Sequence, residues 1–431
     1  MKNWLKGSLL ILTILVILPF FACSRGGSAS AENITLEFWT MASQVQAEYM
    51  QRRMREFERI HPNFKVNEEV LVHADYDRRL PTAIASGTAP DIWTQTYRSV
   101  ADYVDHLTPI NDEIGRAMGY ADARAVADSW DPGIISQYTV NGQIYAFPWE
   151  ANYFAWAINT QHFREAGLNP DTDYPRTWDD VIRLGRILSQ TSGGRITRHA
   201  KTFPYPRPPI WYLMEFQPIF FQLGGRMFNE AGTESLINSP QAVQSMQHLR
   251  QRFDEGVTDR ALSTTQDYQV AMQNQETSMG IISVIGWTDR YEVANPEIRG
   301  HLRLIPNPSF PGVEPIHGAS TWAHAVSARA RNRDWAWRLV DYLTNDPSSA
   351  LIETTTIIPR TGWDQTEGGR NLRDAEMVAR VTQNTYPSGT LIHWDQIQLP
   401  MQRAMQRILF ENADIQTELN RAKAEVDQAI R

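Results

Sequence analysis

Residues 34–40 read ITLEFWT, residues 66–72 read VNEEVLV and residues 92–93 read IW. In the first stretch Ile34, Leu36 and Phe38 alternate with Thr35, Glu37 and Trp39, the period of two that marks a strand. Ser43 and Gln46 then stand three apart as a capping box, and Met50, Met54, Phe57 and Ile60 recur on one helical face until Pro62 stops it. Tyr76, Leu80, Ala83 and Ile84 outline a second helix that ends near Gly87. Strand, helix, strand, helix, strand within about 60 residues predicts parallel strands joined by right-handed crossovers. In open sheets of this kind ligands sit beyond the carboxyl ends of the strands. That rule selects Trp39-Thr40-Met41 and Gln95-Thr96-Tyr97-Arg98 as cleft candidates.

Further along, Asn141-Gly142 signals a hairpin turn and Thr177 caps a helix opening at Trp178-Asp179-Asp180. Gly224-Gly225 precedes a short strand. Ser239-Pro240 opens a helix through Val243, Met246, Leu249 and Phe253. Met279 to Ile285 is apolar almost throughout, as a buried strand requires. Trp337, Val340 and Leu343 support a helix stopped by Pro347, and a last helix from about Met401 carries Met405, Ile408 and Leu409 on one face. Trp156, Trp178, Trp335 and Trp337 fall in strand or helix patterns and are expected to be structural.

The chain has 431 residues, and a mature part of about 400 exceeds what one core usually serves, so two domains are expected. Its formal net charge is −8, which argues against nucleic acid as a partner. Fourteen Trp and 15 Tyr are more aromatics than a core needs, which hints at flat, weakly polar ligands. Gly-x-Ser-x-Gly, the P-loop, Gly-x-Gly-x-x-Gly and His-Glu-x-x-His do not occur. The histidines are scattered and have no cysteine partner for a structural zinc site, so neither metal nor cofactor is expected. Glu150, between Trp149 and Asn152, is the acid in the most aromatic setting. No second carboxylate stands in a comparable context, so a hydroxyl-binding role is expected rather than catalysis; a lipid-anchored glycoside hydrolase is the rival enzyme class.

Lys2 and Lys6 precede an apolar run from Leu9 to Phe21, followed by Ala22-Cys23. The order is that of a secretory signal peptide, residues 1–22. Thirteen residues make a helix of about 20 Å, short of the roughly 30 Å needed to span a bilayer. Cys23, the one cysteine of the chain, directly follows a small residue, which resembles the lipobox of bacterial lipoproteins, although Phe20 stands where such boxes usually have Leu. The resemblance implies cleavage before Cys23 and a lipid on its thiol; ordinary secretion would leave an exposed free thiol. Residues 24–32, SRGGSASAE, complete a flexible linker over 23–32, with a typical reach of about 15–18 Å for nine residues.

Taken in order, several short stretches resemble the family 1 extracellular solute-binding proteins of ABC importers, the maltose- and multiple-sugar-binding type. They are Ile34–Thr40, Gly87-Thr88-Ala89-Pro90-Asp91-Ile92, Asn141-Gly142-Gln143-Ile144-Tyr145-Ala146-Phe147-Pro148, and Ile158-Asn159 with Phe163 to Leu168. Thr177 to Asp180, Gly224-Gly225, Met279-Gly280 through Gly286-Trp287 and Ile358-Pro359-Arg360 follow. The resemblance implies an α/β periplasmic-binding-protein-like fold, two lobes joined by three crossovers and closing on a ligand between them. It places lobe 1 at 33–148 plus 288–329 and lobe 2 at 149–287 plus 330–431.

By position, the resemblance puts Glu150 and Asn152 at the first crossover and Trp287 at the second. It makes Trp211, Tyr212 and Trp394 stacking aromatics and brings Trp322, after Gly318-Ala319-Ser320, near the ligand. With Trp39, Gln95, Tyr97 and Arg98 these form the expected ligand-binding set. The implied function is capture of a carbohydrate for an ABC permease by an exported monomer, lipid-held at the membrane, without catalysis. A non-sugar solute such as a polyol, glycerol phosphodiester or peptide is the alternative; an anionic one would give weight to Arg98 and Arg360.

Overall fold

The structure, a computed structural model, describes residues 33–95, 100–284, 287–387 and 392–431. The leader, Cys23, the linker, Tyr97 and Arg98 lie outside the described residues. The strands are β1 (Ile34–Thr40), β2 (Phe64–Val70), β3 (Ile92–Gln95), β4 (Thr139–Val140), β5 (Gln143–Ile144) and β6 (Ala146–Asn159). There follow β7 (Gln190–Ser192), β8 (Arg195–Lys201), β9 (Thr277–Ser283), β10 (Leu302–Ile305), β11 (His317–Val326) and β12 (Thr385–Pro387). One mixed sheet runs in the order β2-β1-β3-β11-β6-β9-β8-β7, with β10 on β6 and β12 on β11; β4 and β5 pair separately.

The first unit forms as its pattern dictates. Both β2 and β3 pair parallel to β1. Helix Gln44–Ile60 starts at the predicted capping box, where Gln46 Oε1 accepts from Ser43 N at 3.0 Å and Ser43 Oγ accepts from Gln46 N at 3.4 Å. Gly87 closes helix His73–Ser86 in the left-handed region, at φ 72, where a side chain would be strained. Asn141 and Gly142 are both left-handed, as a two-residue hairpin turn between β4 and β5 demands. Thr177 caps helix Trp178–Leu188 through a capping box with Asp180.

Three expectations need correction. The short strand after Gly224-Gly225 reduces to one bridge between Phe228 and Ser235. The last helical region starts at Trp394, not near Met401, and has two parts, Trp394–Phe410 and Ile415–Ala429. Pro400 reads as a helix breaker, yet it sits inside the first part, where burial of Ile397, Met401 and Met405 outweighs the lost backbone bond. Residues 330–431 also do not pack as one block with 149–287. Helices Arg333–Thr344 and Pro347–Thr354 lie on helix Gln44–Ile60, where Trp337, Val340 and Leu343 share a core with Phe38, Met50 and Phe57. Arg53 donates to Tyr342 O and Asn345 Oδ1, and Arg52 pairs with Glu353, which secures that packing. Residues 394–426 do join the other core, with Trp156, Trp178, Leu213 and Phe216.

In that second core Glu215 receives both Lys201 and Arg252, all three side chains almost fully buried, under the rings of Trp156 and Trp178. The trio fastens β8 to helices Pro209–Gln222 and Pro240–Asp254. Burial pushes the Lys201 ammonium down to about 8, against the pull of Glu215. Glu215→Ala would strand two buried cations, so it should cost about 3–5 kcal/mol in urea unfolding. A loss near zero would show that the trio is dispensable.

Burial also pushes His162, His199 and His317 down to about 4, and His324 to about 3. In the unfolded chain they regain an ordinary value of about 6.5 and bind protons that the folded state refuses. Stability should therefore be full above pH 6.5 and fall as the pH drops toward 4. Each histidine contributes at most about 1.4 kcal/mol per pH unit in that window. A urea midpoint unchanged between pH 7 and pH 5 would contradict this.

Candidate functional site

Strand β6 sets the site. In its pairing with β11, Trp322 stands opposite Glu150 and Ala323 opposite Pro148, so Trp149 is one residue too many. Pro148 has no N–H for a ladder, and bulges are among the few strand positions that accept it. The surplus Trp149 turns into the core and stacks on His324, ring centroids 5.4 Å apart and 8° from parallel. Past the bulge the pleat resumes. Ala151, Tyr153 and Ala155 face one core, while Glu150, Asn152 and Phe154 line up on the opposite face.

Those three residues form the floor of a cavity of about 550 Å³. One wall is the start of helix Gln44–Ile60, with Met41, Ser43 and Gln46, and the end of β2, with Val70, Leu71 and Val72. The cavity thus lies beyond the carboxyl ends of β1 and β2, as the strand rule predicts. Opposite stand Trp211, at the first turn of helix Pro209–Gln222, and Arg290 of helix Trp287–Ala294. Trp322 and the Thr354-Thr355 turn close the remaining sides.

The polar centre is Glu150. Asn152 Nδ2 donates to its Oε1 at 2.6 Å and Gln46 Nε2 to its Oε2 at 2.9 Å. Burial raises its pKa, and the two donors and the charge of Arg290 offset only part of that rise. Trp211 meets Phe154 edge-on, centroids 5.7 Å apart at 82°. Val70 and Val72 remain 41% and 68% exposed, so the rim offers apolar surface left open by the described residues. A carboxylate and an amide among indole and phenyl rings can accept hydroxyl protons while flat C–H faces stack alongside.

Of the residues expected from sequence, Glu150, Asn152, Trp211 and Trp322 come together here. Others go elsewhere. Trp39 points away because Phe38 and Thr40 take the inward positions of β1, and its ring lies 4.6 Å from the Arg79 guanidinium in a separate depression. Gln95 is 2% exposed and accepts from Trp93 Nε1 at 3.1 Å. Tyr212, one helical step from Trp211, turns inward. Its hydroxyl donates to Tyr205 O and accepts from Gln406 Nε2, and burial pushes it up to about 12. Trp394 is 1% exposed in the second core. Trp287 opens its helix, and its side chain lies outside what is described. Arg360 is committed to Asp341, Tyr120 and Ser129 and lies 3.7 Å over Trp130, which removes it as an anion ligand.

The ligand-binding set drawn from sequence omits Gln46, Val70 to Val72, Phe154 and Arg290. Gln46 was visible as a capping residue and Met41 lay in the selected stretch 39–41, but no local signal aims Arg290 at the cleft.

With that geometry, residues 42–350 match the bacterial extracellular solute-binding proteins. The chain belongs to this family. An erythritol/L-threitol-binding protein of Mycolicibacterium smegmatis is 24% identical over 366 residues, 76% of this chain and 73% of the relative. A multiple sugar-binding protein of Streptococcus mutans is 25% identical over 189 residues, 43% and 41% of the two chains. Among solved structures, this solute-binding protein is similar to the sugar-binding protein MalE of Xanthomonas citri. The TM-score is 0.78 at 17% identity, covering 92% and 97% of the chains. A Thermotoga lettingae solute-binding protein bound with α-D-tagatose gives 0.72 at 20%, covering 92% and 100%. At identities so low, these TM-scores show the shared α/β fold alone.

Proposed function

We propose that this solute-binding protein captures a carbohydrate, a sugar or short oligosaccharide, in the cleft above β6 and delivers it to an ABC permease without chemical change. The observation that carries the reading is Glu150 and Asn152 set between Trp211 and Trp322 in one cavity. A volume of about 550 Å³ lies within the range of small-molecule sites, roughly 300–1,000 Å³. Two α/β lobes hinging about the cleft would let one monomer both enclose the solute and release it. A polyol is the second reading, favoured by the relative named for erythritol and L-threitol, which this chain matches over three quarters of its length.

Purified protein should show a thermal shift with at least one of maltose, lactose, mannotriose, D-tagatose and erythritol. Ligand at 100 times its dissociation constant adds about 2.7 kcal/mol of stability, enough to be seen plainly. Trp211→Ala and Trp322→Ala should each weaken that binding about tenfold or more and leave the unliganded fold intact. No shift with any of the five compounds, or unchanged affinity in both variants, would sink the reading of the cleft.

Export and tethering complete the proposal: residues 1–22 direct secretion, and a lipid on Cys23 holds the protein near its permease. One acyl chain binds membranes only marginally, so stable anchoring needs more than one. Cys23→Ala should move the protein from the membrane fraction into the soluble exported fraction. Retention of the variant in membranes would refute the tether.

A further inference from the structure

The side-chain amide of Gln46 is fully engaged. Its Oε1 accepts from Ser43 N at 3.0 Å and from Ser43 Oγ at 2.9 Å. A backbone N–H can only donate, so this contact fixes which end of the amide is oxygen. The nitrogen therefore faces the other way, where it donates to Glu150 Oε2 at 2.9 Å and to Thr356 Oγ1 at 3.0 Å. Three stretches remote in sequence meet at this one group: the start of helix Gln44–Ile60, the bulged part of β6, and the segment after helix Pro347–Thr354.

Around Glu150 the other neighbours are few in kind. β6 itself supplies Asn152, β11 supplies Trp322 opposite, and the 354–356 segment supplies threonines, none of which titrates. The charged group that acts on Glu150 is Arg290, from helix Trp287–Ala294. Burial opposes ionisation of Glu150, so the hydrogen bonds decide how far the carboxylate stays available as an acceptor.

We infer that Gln46 is a positioning residue of the cleft, whose amide favours the charged form of the Glu150 carboxyl and holds it in one orientation against the first turn of helix Gln44–Ile60. This rests on the reading of Glu150 as the acceptor for ligand hydroxyls. The same side chain thus caps a helix and sets the state of a binding group. Either role alone would tolerate substitutions that the pair does not.

Gln46→Glu separates the two roles. Ser-x-x-Glu is itself a capping box, so an oxygen still accepts from Ser43 N and the helix start survives. The other oxygen, however, now confronts Glu150 Oε2, and two carboxyls at hydrogen-bond distance must share one proton. Above the pH of that sharing they repel; below it the introduced carboxyl donates to Glu150 as the amide did.

Two measurements test this. In the ligand-free protein, with glutamate carboxyls labelled with carbon-13 and the Glu150 signal assigned by its loss in Glu150→Gln, Gln46→Glu should raise the midpoint by about one unit or more. An unchanged midpoint overturns the inference whatever the ligand proves to be. In the second, the affinity of whichever of the five panel compounds gives the largest thermal shift is followed from pH 8 to pH 5. Relative to wild type at the same pH, Gln46→Glu should lose about tenfold in affinity at pH 8 and regain it on acidification. Equal affinity at pH 8, or an equal loss at every pH, overturns it. Unaltered binding by Glu150→Gln would instead refute the reading of Glu150 as the acceptor, and the titration would still judge Gln46.

Discussion

The extra residue at Trp149 is the constraint on which the site depends. A strand allows only two directions, so every side chain from Ala146 to Asn159 is committed by the register of one pair. Without the bulge, the run from Phe147 onward would keep a single alternation, and a residue on the core side before Pro148 would fix which residues face the core after it. One surplus residue resets the phase. It sends the large indole of Trp149 onto His324 and leaves the small, charged Glu150 facing the cavity. The cost of burying a carboxylate there is limited because Asn152, two residues on, shares its face and supplies a donor. Sequence, bulge and acceptor form one chain of cause.

The same strand explains why the cavity lies where it does. Beyond Phe154 the face that carries Glu150 and Asn152 continues as Trp156 and Ile158 into the second core, beside the trio of Lys201, Glu215 and Arg252. Toward its start, Phe147 packs with Trp130 and Trp337 in the first core. The cavity is the interval between these two well-filled regions, spanned by a strand that belongs to both. Buried ion pairs seldom add net stability over apolar packing, but they restrict which elements can meet. Here they set β8 against two helices and so fix the frame from which Trp211 reaches the rim.

The fold was legible wherever a local pattern was self-sufficient. β1, β2, β3 and the two helices between them follow from periodicity, the Ser43–Gln46 box and Gly87, because each signal acts within one or two turns of chain. The placement of helices Arg333–Thr344 and Pro347–Thr354 was not, since their apolar faces suit either core and contacts remote in sequence, among them those of Arg52 and Arg53, decide which. The site divided in the same way. Glu150 stood out by its aromatic setting and Asn152 by its position in the resemblance, and the alternation of β6 brings both to one cavity. Tyr212 and Trp394 were misplaced because a family position does not state the rotation of a helix, and at roughly 100° per residue adjacent side chains part company. Trp211 and Tyr212 are that case: one faces the cleft, the other the core.

What the cavity offers in hydrogen bonding centres on Glu150. Glu150 brings acceptor lone pairs; Gln46 donates to Glu150 Oε2 and to Thr356 Oγ1, and Asn152 gives one N–H to Glu150 Oε1. Arg290, Ser43 and the Thr354-Thr355 turn add polar groups to the lining, beside the indoles, Phe154 and the valines of the rim. A ligand that fills this space would meet an acceptor at Glu150, donors elsewhere in the lining and apolar faces at several points. An analogue that lacks the hydroxyl would leave a buried carboxylate under-satisfied, a larger penalty than the loss of a comparable apolar contact. On the proposed reading of Glu150 as the acceptor for ligand hydroxyls, discrimination in this cleft draws on that buried carboxylate, while the aromatic and aliphatic walls set affinity and tolerate variation in ligand length.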